Sequence, residues 1–198
     1  MPESIRSTRG AAVVRYAKSQ VTYDALLLAA AEEFAECGLA GARVMRVLRR
    51  AGLSQGAMYH HFTSKDDLAR ALATSRAEAW HQSAEVMSAH SRGLIAIDRL
   101  CVGFSEQIAS DVRDRAAVRV AHELESGSWR DPHEEWRSAI VRALQQSIAD
   151  GEVSESVDTH RFADGLVARA CALALASGTE LAGAGHVWTE AISSLRAS

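Results

Sequence analysis

Residues 43–62 read Arg43-Val44-Met45-Arg46-Val47-Leu48-Arg49-Arg50-Ala51-Gly52-Leu53-Ser54-Gln55-Gly56-Ala57-Met58-Tyr59-His60-His61-Phe62, and this stretch decides the fold. Val44, Val47 and Leu48 fall on one side of a short helix that closes at Gly52. Gly52 supplies the left-handed residue that a tight turn requires, and Leu53 plugs the angle between two helices. Ser54 offers an oxygen that caps a second short helix reaching about His61. Two short helices joined by Gly-Leu-Ser have the spacing of a helix-turn-helix, whose second helix presents its N-terminal residues to a major groove.

Helical punctuation continues on both sides. Upstream, Leu27, Ala30, Ala31 and Phe34 keep helical spacing from Val21 to a C-cap at Gly38. The first 20 residues lack a sustained period and read as a mobile basic arm. Downstream, Ser64-Lys65-Asp66-Asp67 has capping-box spacing and opens a long helix to about Ala89. Further helices are expected over 94–109, over 112–126 with a stop at Gly127, and over 131–150. The last of these opens on Asp131-Pro132-His133-Glu134-Glu135, a cap, a first-turn proline and two acids at the positive end of the dipole. Two more follow, over 158–177 and 184–196. The expected architecture is all-α, with about nine helices: an arm (1–20), a helix-turn-helix head (21–65) and a helical ligand-binding and dimerisation domain (66–198).

Composition agrees and excludes. Two prolines in 198 residues with abundant Ala, Leu, Arg and Glu favour helices. No run approaches the roughly 18–20 apolar residues of a membrane span, and residues 1–20 lack the apolar core of a signal peptide. The expected place is the bacterial cytoplasm, on the nucleoid when bound to DNA. Cys37, Cys101 and Cys171 are odd in number and widely spaced, neither a disulfide framework nor a metal-ligand pattern. The net charge of −3 hides an asymmetry: residues 1–70 carry ten Lys/Arg against seven Asp/Glu, and the remainder twelve against eighteen. A basic end suits contact with nucleic acid there. No G-x-S-x-G, P-loop, dinucleotide fingerprint or H-E-x-x-H occurs, so no enzyme and no cofactor is expected.

With Phe34 and Gly38 before it and Ser64-Lys65-Asp66-Asp67-Leu68 after it, the 47–62 segment strongly resembles the DNA-binding domain of the TetR family over residues 22–70. The resemblance implies that Ser54, Tyr59, His61 and Lys65 hold phosphates, which set register without reading sequence. It places Gln55, Gly56 and His60 nearest the base edges. Arg43 stands where the family has a Ser or Thr cap, and reaches for the DNA backbone instead. Phe62 and Leu68 read better as core, and Tyr59 serves both roles. His60-His61 is not a metal pair, because adjacent helical side chains diverge and no third ligand follows at i+4. Arg46, Arg49 and Arg50 read either as a solvated face or as non-specific DNA attraction. Tyr23 replaces a customary Arg, which removes one phosphate partner, and Leu48 replaces a customary Ala between the motif helices.

A weaker resemblance covers the rest. Gly93-Leu94, Arg113 to Glu125, Glu135-Trp136-Arg137 and Val157-Asp158 before Leu166-Val167 look like receptors for γ-butyrolactone, butenolide and furan-type hormones of filamentous actinomycetes. It implies that Trp136 lies against the bound hormone, and it assigns Leu166 to the same region. By their own chemistry these residues allow other readings. Trp136 is either a ligand wall with one N–H donor or a core indole. His122 either points a polar atom into the pocket or is a satisfied core histidine. Arg169, interrupting an apolar stretch, meets a ligand carboxylate, an acid across a dimer interface, or solvent. Trp80, Trp129 and Trp188 read as packing or interface residues. The partners expected are double-stranded operator DNA, a small effector, and a second copy joined through the helices at 158–177 and 184–196, where small residues allow close approach. A ligand beneath the long fourth helix would tilt it and respace the heads. Two alternatives stay open: a repressor answering an antibiotic or another hydrophobic effector, and one that has lost its response.

Overall fold

The computed structural model describes residues 3–124, 130–175 and 184–195. Among them run nine helices: α1 (Glu3–Gly41), α2 (Val44–Ala51), α3 (Gln55–Tyr59), α4 (Lys65–Ala89), α5 (Gly93–Ser110), α6 (Val112–Ala121), α7 (Pro132–Ala149), α8 (Thr159–Leu175) and α9 (Ala184–Ser193). The protein is all-α, as its periodicity implied. The anticipated caps are in place: the side chains of Ser54, Ser64 and Asp131 accept from the backbone N–H of Ala57, Asp67 and His133. Gly52 is left-handed at φ 66°.

Two boundaries differ from the sequence reading. Helix α1 begins at Glu3 rather than Val21, so the stretch read as an arm continues the first helix. Helix α6 stops at Ala121 instead of running to Ser126. Glu123 leaves the helical path, and its carboxylate accepts from Leu39 N (2.9 Å) and Ala40 N (2.8 Å), the donors exposed where α1 breaks at Gly38. The expected stop at Gly127, together with Glu125 and Trp129, lies outside the described residues, as do 176–177 and 196.

Two apolar cores form. The first packs Leu26, Ala30 and Phe34 of α1 against Val47 and Leu48 of α2, Met58 of α3, and Leu68 and Leu72 of α4. Ala116 and Val120 of α6 join it, so the head is not sealed at residue 65. The second gathers α4 from Trp80 onward with α5, α7, α8 and α9 around Phe104, Trp136, Ile140, Leu166 and Trp188. Helix α4 therefore belongs to both cores. Near its middle, Arg76 donates to both oxygens of Asp114 on α6 (2.6 and 2.9 Å), and Trp80 Nε1 donates to one of them (2.6 Å). Asp114 is 1% exposed, so this carboxylate is a buried clasp between α4 and α6. An unpaired charge there would be costly, and three donors satisfy it.

Candidate nucleic-acid interface and effector pocket

Helix α3 is held by one buried residue. Met58 is 1% exposed, whereas Ser54, Gln55, Gly56, Tyr59 and His60 all face outward. Gly56 has no side chain and only the Ser54 hydroxyl nearby, so the N-terminus of α3 can approach another surface closely. Gln55 Nε2 rests 3.4 Å from the Tyr59 hydroxyl, one turn along the same face. Arg43 is exposed at the start of α2 and makes no side-chain cap. Six of the eight residues assigned to DNA are therefore exposed, five of them in α3 or directly flanking it. His61 is half-buried, with its ring 5.9 Å from that of Tyr23.

Lys65 has partners within the protein. Its ammonium donates to Leu39 O (2.5 Å), Ala42 O (3.2 Å) and Ala40 O (3.4 Å), carbonyls left open where α1 ends. An ammonium has three donors, and this arrangement uses them inside the protein. Tyr23, standing in place of a phosphate-holding arginine, serves packing within the head. Its ring stacks on Phe62 at 5.1 Å. Burial pushes the Tyr23 phenol above its usual range, with Asp24 and Glu78 adding to the effect. Of the three outer arginines, Arg50 is paired with Glu36 (2.5 Å) and Glu32 (3.4 Å) of α1. Arg46 sits 3.7 Å from Glu33, and Arg49 is exposed.

The four residues assigned to an effector do not converge. Trp136 is 3% exposed, stacked on Phe104 (centroids 4.1 Å, planes at 8°) and edge-on to Trp188 (6.0 Å). Beside it a cavity of about 20 Å³ lies between α4, α5 and α7, lined by Trp80, Ser83, Met87, Leu100 and Gln107 among others. Trp136 Nε1 is buried with no acceptor among the described residues. His122, expected on a face with Val118, is exposed beyond the end of α6 while Val118 is buried, and its ring meets His133 instead. Arg169 is exposed, and with Leu166 it lines a separate open groove of about 460 Å³ between α8 and α9. Of the tryptophans read as packing, Trp80 and Trp188 are buried and hydrogen-bonded, to Asp114 and to the Ser105 hydroxyl. Phe104, which forms the other wall beside Trp136, had no signal in the sequence beyond its apolar spacing.

Comparison with known proteins agrees with this architecture. Residues 26–72 match the family model described as bacterial regulatory proteins, tetR family. The A-factor receptor protein of Streptomyces griseus is 27% identical over 149 residues, which cover 74% of this chain and 51% of that protein. The chain thus spans about half the length of this curated relative. Among solved structures, CprB of Streptomyces coelicolor A3(2), a TetR family protein, superposes with a TM-score of 0.79 at 22% identity, covering 91% of each chain. A γ-butyrolactone receptor described as ArpA-like superposes at 0.71 with 21% identity, covering 90% of this chain and 97% of that one. CprB has also been solved in complex with its biological operator sequence. These are regulators rather than enzymes, and the similarity runs through both cores.

Proposed function

We propose that this tetR-type regulator is a transcriptional repressor that grips a pseudo-palindromic operator as a homodimer and is released by a small signalling molecule of the γ-butyrolactone, butenolide or furan type. The observation that carries the reading is the outward face of α3. Gln55, Gly56, Tyr59 and His60 are offered together, while Met58 alone roots the helix. In this reading Ser54, Tyr59, His61 and Arg43 hold phosphates, and Gln55, Gly56 and His60 meet base edges. Lys65 serves from behind, fixing α4 to the end of α1. Dimerisation uses α8 and α9, where Gly165, Ala168 and Ala172 are exposed small residues on α8 and Gly165 lines the groove with Arg169 and Leu166.

The effector enters beside Trp136, beneath α4. Support comes from the buried indole N–H without an acceptor, and from the likeness to receptors named for such hormones. The pocket must open, since ligand sites occupy roughly 300–1,000 Å³. Opening there pushes on α4, which the head's core and the Asp114 clasp both grip. The ligand shifts the equilibrium by its differential affinity for the open form. A second reading, a repressor without hormone response, is favoured by how little space lies beside Trp136.

Fluorescence anisotropy on a labelled operator taken from the flanking promoters, titrated with a lactone, butenolide and furan-acid panel, tests both readings. Tight binding reversed by one class is the expected result. Binding that no compound reverses removes the hormone reading, and no sequence-specific binding removes the repressor reading. Trp136→Phe is a better probe than Trp136→Ala, because truncating a core indole costs about 3–5 kcal/mol on its own. Phe keeps an aromatic ring against Phe104 while removing the N–H and the smaller part of the indole, and it is expected to weaken release while leaving operator affinity intact.

A further inference from the structure

Away from the operator face and the Trp136 cavity, three potential metal ligands from three elements meet. Cys171 Sγ, on α8, lies 3.3 Å from His133 Nε2, in the first turn of α7. His122, one residue past α6, brings its ring to 4.8 Å from that of His133, centroid to centroid. One ligating atom from each of the three lies within 4.8 Å of the other two. Cys171 is buried, His133 half-buried and His122 exposed, so the cluster runs from the interior to solvent. On the far side of the His133 ring, Nδ1 faces Asp131 Oδ1 at 3.4 Å. A histidine that binds metal through one nitrogen typically gives its other N–H to a carboxylate, which fixes the tautomer and ring orientation. Asp131 lies beside that nitrogen as a charged neighbour, while Nε2 faces Cys171 Sγ.

We propose that His122, His133 and Cys171 bind one thiophilic transition-metal ion of the Zn(II) class, with the fourth position open to solvent. Two imidazoles and a thiolate are the nitrogen and sulfur set that such ions favour. Bonds of about 2.0–2.3 Å to a tetrahedral ion put ligand atoms roughly 3.3–3.7 Å apart. The Cys171–His133 pair already has this spacing. His122 must close by roughly 1 Å to complete a tetrahedral set, and its exposed place at a helix end leaves it free to swing. Without metal, Cys171 Sγ and His133 Nε2 face each other across 3.3 Å with one proton between them. An ion takes the place of that proton, which leaves to solvent. The other such group among the described residues, Glu33, Glu36 and Cys37, differs because Arg46 and Arg50 already occupy its carboxylates. An ion at the proposed site ties α6 to α7 and α8 beside Glu123, whose carboxylate holds α1.

Untagged, reduced, metal-free full-length protein titrated with Co(II), then Zn(II), tests the site by absorbance. One Co(II) per chain is expected, with a thiolate-to-cobalt charge-transfer band that one equivalent of Zn(II) removes. Cys171→Ser should abolish the band. His122→Ala, at an exposed position, and Asp131→Asn, which keeps the helix cap while removing the charge, should each weaken binding by about tenfold or more. Cys37→Ser and Cys101→Ser should leave the band unchanged. The site is overturned if the parent protein shows no band, if the band survives Cys171→Ser or disappears with Cys37→Ser, or if His122→Ala binds as tightly as the parent. Circular dichroism of each metal-free variant reports its fold; should Cys171→Ser not fold, His122→Ala and Asp131→Asn decide.

Discussion

Gln55 and Lys65 show how much a single side chain's surroundings decide. Gln55 is exposed at the N-terminus of α3, where a carboxamide can pair in bidentate fashion with adenine in a major groove. Gln55→Ala is expected to flatten operator preference at one base pair in each half-site, by about 1–3 kcal/mol; a base-substitution series in the anisotropy assay checks it. Lys65 carries a charge of the kind that suits a phosphate, yet its ammonium lies on the carbonyls of Leu39 and Ala42. Lys65→Met should therefore lower folding stability by about 1–2 kcal/mol through lost hydrogen bonds to a charged group, read from urea unfolding. The salt slope of operator binding should change by less than the roughly one unit expected when a phosphate-holding cation is removed.

Among the elements, the end of α1 is where head and body are joined. Gly38 sits at φ 68°, ψ 179°, a conformation open essentially to glycine alone. A Cβ there would also strike the Glu123 carboxylate that holds Leu39 N and Ala40 N. Arg119 of α6 reinforces the joint by donating to Ala35 O (2.9 Å). Gly38→Ala should cost about 1–3 kcal/mol in backbone strain alone, measurable as a lower urea midpoint. It should also loosen the head from α6, visible as faster amide exchange at Leu39 and Ala40. Helix α6 thus does more than fill the body. It carries Asp114 to α4, Arg119 and Glu123 to α1, and His122 to the proposed metal site at its end.

For the molecule as a whole, α4 is shared by the two cores, and the proposed place for a second copy is the face of α8. Gly165 points into open space, so a longer side chain there is harmless to the monomer. Gly165→Glu should leave or slightly raise monomer stability, since glycine is about 1 kcal/mol less favourable than alanine inside a helix. It should shift the protein to monomer in sedimentation experiments and weaken operator binding, because a two-fold operator needs both heads. A dimer that survives this change would place the interface elsewhere.

The all-α class, the helix-turn-helix, its glycine turn and its caps were legible in the sequence, because each rests on local rules: helical period, a left-handed residue, an oxygen three residues before an N–H. Residues 43–62 needed no tertiary context to be read. The exposed face of α3 followed almost as directly, since a short helix rooted by one apolar residue must expose the rest. Tertiary structure alone decided what the polar side chains meet. Lys65 turned inward because α1 ends beside it, and α6 stopped early with Glu123 on the Gly38 break. Trp136 met Phe104, Arg169 and Leu166 went to the α8–α9 groove, and His122 met His133 and Cys171 from helices far away in the chain. A side chain's partners across the fold depend on helix packing angles, which local periodicity does not encode.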